Sequence, residues 1–391
     1  MISSDVTIVG GGPGGAATAI SLLAHAPALS VTLIEASHYE TSRVGESLPP
    51  LTRPLLETLN VWEAFSTLGA RESFGTSAAW GQATSVDNEF IFMPGNTGWQ
   101  LDRASFDAML ANEAKNRGAV LMLGTSLRGA ERVDDGWRLS LSDGCELTTS
   151  FVVDATGGSA SFARRAGACF ADLDRLVGIS RFFECGEADA RLMVETFADG
   201  WWYTAGLPNG KRVTCCVTDA DLAQRMKLNE TDVWQQQLST TSNVAKITNT
   251  GKPCSTVTIR STNSRLLDPV CGEDWLAVGD AASRFDPLSS QGIVKALRSG
   301  IFASYAIGDL LLHEDNAGLR RYQRYVTEEF KSYTQTRLKY YSQEQRWPNS
   351  EFWRRRHTQT IRPQDSVVNG YLRTLGQGVE ALKVNAVSEE L

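Results

Sequence analysis

The segment from Val6 to Glu35 constrains the fold more than any other part of the chain. A short apolar run, Val6-Thr7-Ile8-Val9, passes directly into Gly10-Gly11-Gly12-Pro13-Gly14-Gly15. An Ala-rich helix is expected from about Ala16 to Ala24, and a second apolar run, Val31-Thr32-Leu33-Ile34, ends at Glu35. Strand, glycine turn, helix, strand and acid in this order form a βαβ unit with G-x-G-x-x-G at Gly10, Gly12 and Gly15. Gly10 permits the tight turn. Gly12 lets a pyrophosphate approach the backbone, with Pro13 and Gly14 opening the helix. Gly15 lets helix and strand pack closely, and the helix N-terminus offers unpaired N–H groups to phosphates. Glu35 is placed to accept hydrogen bonds from the hydroxyls of an adenosine ribose. These residues predict an α/β protein with a Rossmann-like dinucleotide-binding domain.

At 391 residues the chain is long enough for two or three domains. Its net charge of −7 argues against nucleic acid as a partner, because a polyanion needs a basic face. No apolar run approaches the roughly 20 residues that span a bilayer, and the N-terminus lacks the basic start of a signal peptide. Seven Cys, an odd number without C-x-x-C, and only four His argue against a disulfide framework or a metal site. A reduced, cytoplasmic enzyme is expected. The adjacent Cys215 and Cys216 are expected to point to opposite faces of one strand.

Beyond the first unit, the loop 41–54 reads TSRVGESLPPLTRP. Alternation and aromatics over 75–98 suggest strands, and Leu101-Asp102-Arg103 precedes a helix from Ala104 to Asn116. Strands follow to about Val153, with a turn at Asp154-Ala155-Thr156-Gly157-Gly158-Ser159. Residues from about Leu176 to Arg260 read as a β-rich insert with one helix near Asp219–Lys227. A buried strand, Trp275 to Val278, leads into Gly279-Asp280 and the segment AASRFDPLSSQGI, after which the chain is largely helical. The expected organisation is a discontinuous dinucleotide-binding domain (1–74, 99–175, 261–315), a β-rich substrate domain (75–98, 176–260) and a helical C-terminal region (316–391).

The glycine turn, the DATGGS turn at 154–159 and VGDAASRFDPLSSQG at 278–292 together resemble the flavoprotein monooxygenases with the para-hydroxybenzoate hydroxylase-like fold. The resemblance implies FAD as cofactor. It puts Asp280 on the ribityl chain, the backbone around Pro287 and Gly292 against the flavin ring, and Arg103 at the start of the helix after the third strand. Arg43, Ser47, Asp154, Gln291 and Ile293, from the same segments, complete the implied cofactor set with Gly10, Gly12, Pro13, Gly14, Gly15 and Glu35. The chemistry implied is oxygen activation by reduced flavin and attack on an electron-rich ring such as phenol or indole. No metal is required.

Within that group, Val44-Gly45-Glu46-Ser47-Leu48-Pro49-Pro50 and Gly200-Trp201-Trp202-Tyr203 resemble the flavin-dependent halogenases, the second only in part. Those enzymes pass hypohalous acid to a Lys in the strand that here reads Phe74 to Trp80, which holds no Lys. Tryptophan halogenases also place a Glu where this chain has Ser289. Halogenase-like flavoproteins that lack the Lys include maturation enzymes of tryptophylquinone-dependent amine and amino-acid oxidases, and this chain is similar to them. The resemblance implies hydroxylation of an aromatic substrate, including a Trp side chain of a partner precursor protein. Glu46, Trp202 and Tyr203 are the candidate catalytic residues. The reductant is either NAD(P)H or a partner flavin reductase. Two alternatives stand beside this reading, a geranylgeranyl-reductase-like FAD oxidoreductase and a redox-inactive flavoprotein chaperone. The stretch from Ala317 to Arg362 carries 11 Lys and Arg against four acids. Arg354, Arg355 and Arg356 within it suggest a docking surface for an acidic partner.

Overall fold

The computed structural model describes residues 2–41, 43–186 and 189–358. Its first layer is a seven-stranded sheet. Val120–Met122, Val31–Ile34, Ile2–Val9 and Glu146–Asp154 lie side by side in that order and run parallel. Trp275–Ala277 extends the parallel set on the carboxyl half of Glu146–Asp154, whose other half pairs with the antiparallel strand Gly136–Leu141, flanked by Leu127–Val133. The central strands are buried on both faces (Val6, Ile8, Leu33, Val152 and Val153), as their unbroken apolar runs require. Helices Pro13–His25 and Gly292–His313 pack closely on one another. A Cβ added at Gly300 would stand 2.5 Å from the Gly14 carbonyl oxygen, so only glycine allows that approach.

The second layer is an eight-stranded sheet. Its main path runs Lys252–Pro253, Leu176–Glu184, Lys211–Asp219, Gly200–Gly206, Leu192–Phe197, Gly75–Ala79 and Val86–Glu89, with Thr258–Ser261 beside Leu176–Glu184. One face is covered by three short helices, Ala220–Arg225, Thr231–Ser239 and Asn243–Thr248, rather than by the one helix expected. Trp234, Leu238 and Val244 are fully buried from those helices against Ile179, Met193, Trp202 and Cys216. Cys215 lies on the opposite face, packed with Trp201, Val194 and Val217.

The C-terminal helices close that second face. Ala317–Gln343 and Glu351–His357 bring Tyr341, Phe352 and Trp353 onto the sheet, all fully buried. For Arg355 and Arg356 this corrects the expectation of a docking surface, while Arg320, Arg321, Arg324, Lys331 and Lys339 of the same run are exposed. Arg356 is 4% exposed, donates to Asp219 at 2.7 Å and lies over the Phe352 ring. Arg355 pairs with Asp219 at 2.8 Å and Asp221 at 2.7 Å. Both guanidinium groups tie the C-terminal helix to the sheet, so their charge is spent inside the molecule. Of the three, Arg354 is exposed, and Arg362 lies outside the described residues.

Candidate active site

A cavity of about 750 Å³ lies between the two layers. It starts at the glycine turn, where the parallel strands end in Gly10, Glu35 and Ala155, and passes Arg103, Gly157, Asp280 and the loop 286–293. It ends on the second sheet at Trp201, Tyr203 and Cys215. Open α/β sheets bind ligands at the carboxyl ends of their strands.

The first end is shaped by backbone. Gly10 has φ +115°, and a Cβ there would stand 2.2 Å from the Ala155 carbonyl oxygen; one at Gly15 would stand 2.0 Å from the Gly10 oxygen. At Gly12 a Cβ would meet nothing within 4 Å. That empty space faces the cavity at the start of helix Pro13–His25, which no side chain caps. The arrangement fits a pyrophosphate, since free N–H groups and the helix dipole favour an anion there. Glu35 accepts from the Gly11 N–H at 2.8 Å and from Arg43 at 3.0 Å. Arg43 also holds the fully buried Asp107 at 2.9 Å. Arg103 shares that carboxylate at 3.2 Å and donates to the carbonyls of Val44 and Gly45 at 3.2 and 3.0 Å. Both arginines line the cavity and fix the loop that carries Glu46. Ser47 lines it as well, its hydroxyl donating to Gln100 at 2.7 Å.

Asp154 does not reach the cavity. It is fully buried and accepts from Thr156 N–H at 2.9 Å, Phe162 N–H at 2.9 Å and Ala163 N–H at 2.8 Å. Its role as a cofactor contact is therefore corrected. It shapes the turn that presents Ala155, Thr156 and Gly157, and its carboxylate is consumed by these amides and by the Thr156 hydroxyl at 2.7 Å.

Asp280 lines the cavity and is held from behind by Lys295, 1% exposed, at 2.9 Å. Pro287, Gln291, Gly292 and Ile293 line it too, and a Cβ at Gly292 would again meet nothing within 4 Å. This loop is anchored by the long C-terminal helix. Tyr333 accepts from the Asp286 N–H at 2.7 Å. The Asp286 carboxylate accepts from Tyr341 at 2.6 Å and from Arg337 at 3.4 Å, and Arg337 reaches Asp174 at 2.9 Å.

The far end is chemically distinct. Glu46 is 3% exposed. Its Oε2 accepts from the Gly45 N–H at 2.8 Å, whereas its Oε1 is buried with no hydrogen-bond partner. Burial pushes this carboxyl up to about 7, against the opposing pull of the Gly45 and Glu46 amides and of Arg103. Burial, the Cys215 thiol and Glu46 together hold the Tyr203 phenol well above its usual range. Tyr203 and Cys215 face each other across neighbouring strands. Burial also pushes the Cys215 thiol up to about 12, so it is a neutral wall rather than a nucleophile.

Alternation along Gly200–Gly206 sends Trp201 and Tyr203 to the cavity and Trp202 away from it. Trp202 is fully buried against Trp234, ring centroids 5.1 Å apart, under the three-helix cover. This corrects its selection as a catalytic residue. Trp201 takes its place at the wall, its Nε1 donating to Tyr341 at 3.1 Å. Sequence reasoning missed Trp201, Cys215, Lys295 and Tyr341; strict two-residue periodicity would have paired Trp201 with Tyr203. No Lys lines the cavity among the described residues, and Ser289 is at its wall. Among the described residues no group of His, Cys, Asp and Glu could hold a metal ion, and no helix is long and apolar enough to cross a membrane.

Comparison with known proteins agrees with this geometry. The FAD binding domain family model matches residues 3–328. The putative FAD-dependent oxidoreductase LodB of Marinomonas mediterranea is 30% identical over 367 residues, 91% of this chain and 98% of that protein. The flavin-dependent halogenase CmlS superposes with a TM-score of 0.80 at 26% identity, over 96% of this chain and 70% of that one. The peptidyl tryptophan dihydroxylase QhpG, essential for tryptophylquinone cofactor biogenesis, gives 0.75 at 26% identity, over 90% and 78%. The family match over most of the chain, on a cavity shaped for a dinucleotide, leads to one conclusion: this protein belongs to the FAD binding domain family and is an FAD-dependent oxidoreductase of the monooxygenase and halogenase type.

Proposed function

We propose that the protein is a monooxygenase that hydroxylates an indole ring, that of a Trp side chain in a precursor protein, during biogenesis of a quinone cofactor. The observation that carries this reading is the buried, unpartnered Glu46 Oε1 beside Tyr203, in a cavity that no Lys lines. An orphaned buried acceptor is costly unless a ligand satisfies it. An indole N–H is a donor-only group of the right kind. The likeness to the dihydroxylase QhpG supports the choice of a peptidyl Trp.

FAD would be held by the glycine turn, Glu35, Arg43, Arg103, Asp280 and the backbone of 287–293, and when bound and reduced it supplies activated oxygen. Glu46 accepts the ring N–H, which raises electron density in the indole and orients it. Its carboxyl, poised near neutrality, then takes the proton that the ring must lose to regain aromaticity. Trp201 and Tyr203 flank the ring with flat apolar surface, and the Cys215 thiol stays protonated and inert. Halogenation is disfavoured because the wall offers neither an amine to hold a halogen nor, at Ser289, a carboxylate to polarise one.

The test is mass spectrometry of Trp-containing peptides after turnover with FAD, oxygen and either NADPH or a flavin reductase. A gain of about 16 Da per oxygen on Trp is expected. With chloride or bromide present, no halogenated Trp is expected. Halogenated product with no oxygenated product would overturn the reading.

A further inference from the structure

Ten Trp is a high count for 391 residues, and the site uses one of them. Four others are accounted for by packing alone, in the pairs Trp62–Trp99 and Trp202–Trp234. A further group does something packing does not require. From the cavity wall, Tyr203 lies 6.1 Å from Trp201, Trp201 lies 6.4 Å from Trp80, Trp80 lies 5.6 Å from Trp353, and Trp353 lies 6.2 Å from Trp347, all between ring centroids. Tyr203 and Trp201 line the cavity and Trp347 is partly exposed. The neighbouring clusters are interrupted by Phe65, Phe106, Phe183, Phe197 or Phe330. Phe352 packs beside Trp353 at 5.0 Å, but the path from cavity to surface passes through indole and phenol rings alone, the side chains most easily oxidised by one electron apart from thiols.

The hydrogen bonds along the run suit the same purpose. The Trp80 Nε1 donates to the Tyr340 carbonyl at 2.8 Å, and the Trp353 Nε1 donates to the Phe197 carbonyl at 2.9 Å. A peptide carbonyl is too weak a base to take the proton of an oxidised indole. An indole that loses an electron at either place keeps its proton and so keeps its power to oxidise the next ring. At Trp347 the ring reaches water, where the proton can leave.

We propose that Trp201, Trp80, Trp353 and Trp347 form a hole-transfer chain that drains stray oxidising equivalents from the flavin cavity to the surface. When oxygen activation misfires and leaves an oxygen-centred radical such as hydroxyl in the cavity, Trp201 gives it one electron, and the resulting hydroxide takes a proton from the solvent to become water. Trp80, Trp353 and Trp347 refill the vacancy in turn. The Trp347 radical releases its N–H proton to water, and a diffusible reductant such as ascorbate or a thiol returns one electron while water returns the proton. The net change is one electron passed from the surface reductant to the cavity oxidant, with the four indoles restored. The chain spares Glu46, Tyr203 and the substrate ring from oxidation.

Transient absorption of the FAD-loaded full-length protein tests this without substrate. A blue pulse makes the bound oxidised flavin a one-electron oxidant. The wild type should then show quenched flavin fluorescence and a long-lived Trp radical that ascorbate removes in proportion to its concentration. Trp80→Phe should keep the quenching, since Trp201 and Tyr203 remain, but lose the long-lived radical. Trp347→Phe, which leaves a ring stacked on Trp353 at the partly exposed end, should keep the early radical and lose its sensitivity to ascorbate. A wild type with quenched flavin and no long-lived Trp radical would overturn the proposal. So would a Trp80→Phe radical of wild-type yield and lifetime, or ascorbate sensitivity retained in Trp347→Phe.

Discussion

The two ends of the cavity are built by opposite means. At the glycine turn the surface is backbone: side chains are excluded by contacts of about 2 Å at Gly10 and Gly15, and Gly12 leaves open space. At the aromatic end the surface is side chain, assembled from Glu46, Trp201, Tyr203 and Cys215 on segments far apart in sequence. The first end is specified by residues that must be absent of bulk. The second is specified by which face of a strand each residue takes. One can therefore be damaged only by adding atoms, and the other mainly by exchanging them.

The largest expected effect breaks the first end in two distinguishable ways. Gly12→Val should fold normally and lose FAD, because its side chain enters only the pyrophosphate space. Gly15→Val should lose FAD together with about 1–3 kcal/mol or more of stability, because the new atoms meet the Gly10 carbonyl. Flavin absorbance and thermal melting of the cofactor-free proteins separate the two. Equal melting temperatures for both variants would count against the open space at Gly12.

At the aromatic end, Glu46→Gln should retain FAD and lower turnover by about 100-fold or more. In the wild type, kcat/KM should rise with pH through about 7, and in the variant that rise should vanish. The sign of the stability effect is opposite. Native Glu46 keeps a proton that the unfolded chain releases, so cofactor-free protein should lose stability as pH rises from about 4.5 to about 7. Denaturant titrations across that range should show the slope in the wild type and a smaller one in Glu46→Gln.

Smaller effects compare the two faces of one strand. Trp201→Phe removes a hydrogen bond to Tyr341 worth about 1 kcal/mol and should raise peroxide release relative to product. Trp202→Phe should change stability by less than about 2 kcal/mol, since its Nε1 already lacks a partner, and should leave KM and coupling unchanged. A peroxide assay and a melting curve suffice. Loss of activity in Trp202→Phe with full activity in Trp201→Phe would reverse the assignment of faces.

The same contrast explains what could be read in the sequence. The βαβ unit was legible because few residues other than glycine can occupy a turn with φ +115°, or a helix position where a Cβ would stand 2.0 Å from the Gly10 carbonyl oxygen. Pro287, Gly292 and Ile293 were legible as a motif and lie at the cavity wall. Trp202 was misread because periodicity alone does not say which face of a sheet the helices will cover. Helices Thr231–Ser239 and Asn243–Thr248 escaped notice because they are short and their apolar residues are few. Asp154 resembles a ligand-binding acid, yet it serves one amide of its own turn and two of the helix that follows. Arg355 and Arg356 look like surface charge until Asp219, 136 residues or more away, is brought against them. No local signal marks a contact of that separation.

The anchoring of Asp286 by Tyr333, Arg337 and Tyr341 has a consequence for synthesis on the ribosome. The glycine turn and its sheet emerge early, but the loop 286–293 acquires its three tethers only after another fifty or so residues have been translated. The N-terminal layer can begin to compact while the aromatic end is still open. A nascent chain arrested before Tyr333 would carry every glycine of the nucleotide turn and still leave its flavin loop unclasped. Clasping of the flavin loop thereby waits on the synthesis of helix Ala317–Gln343.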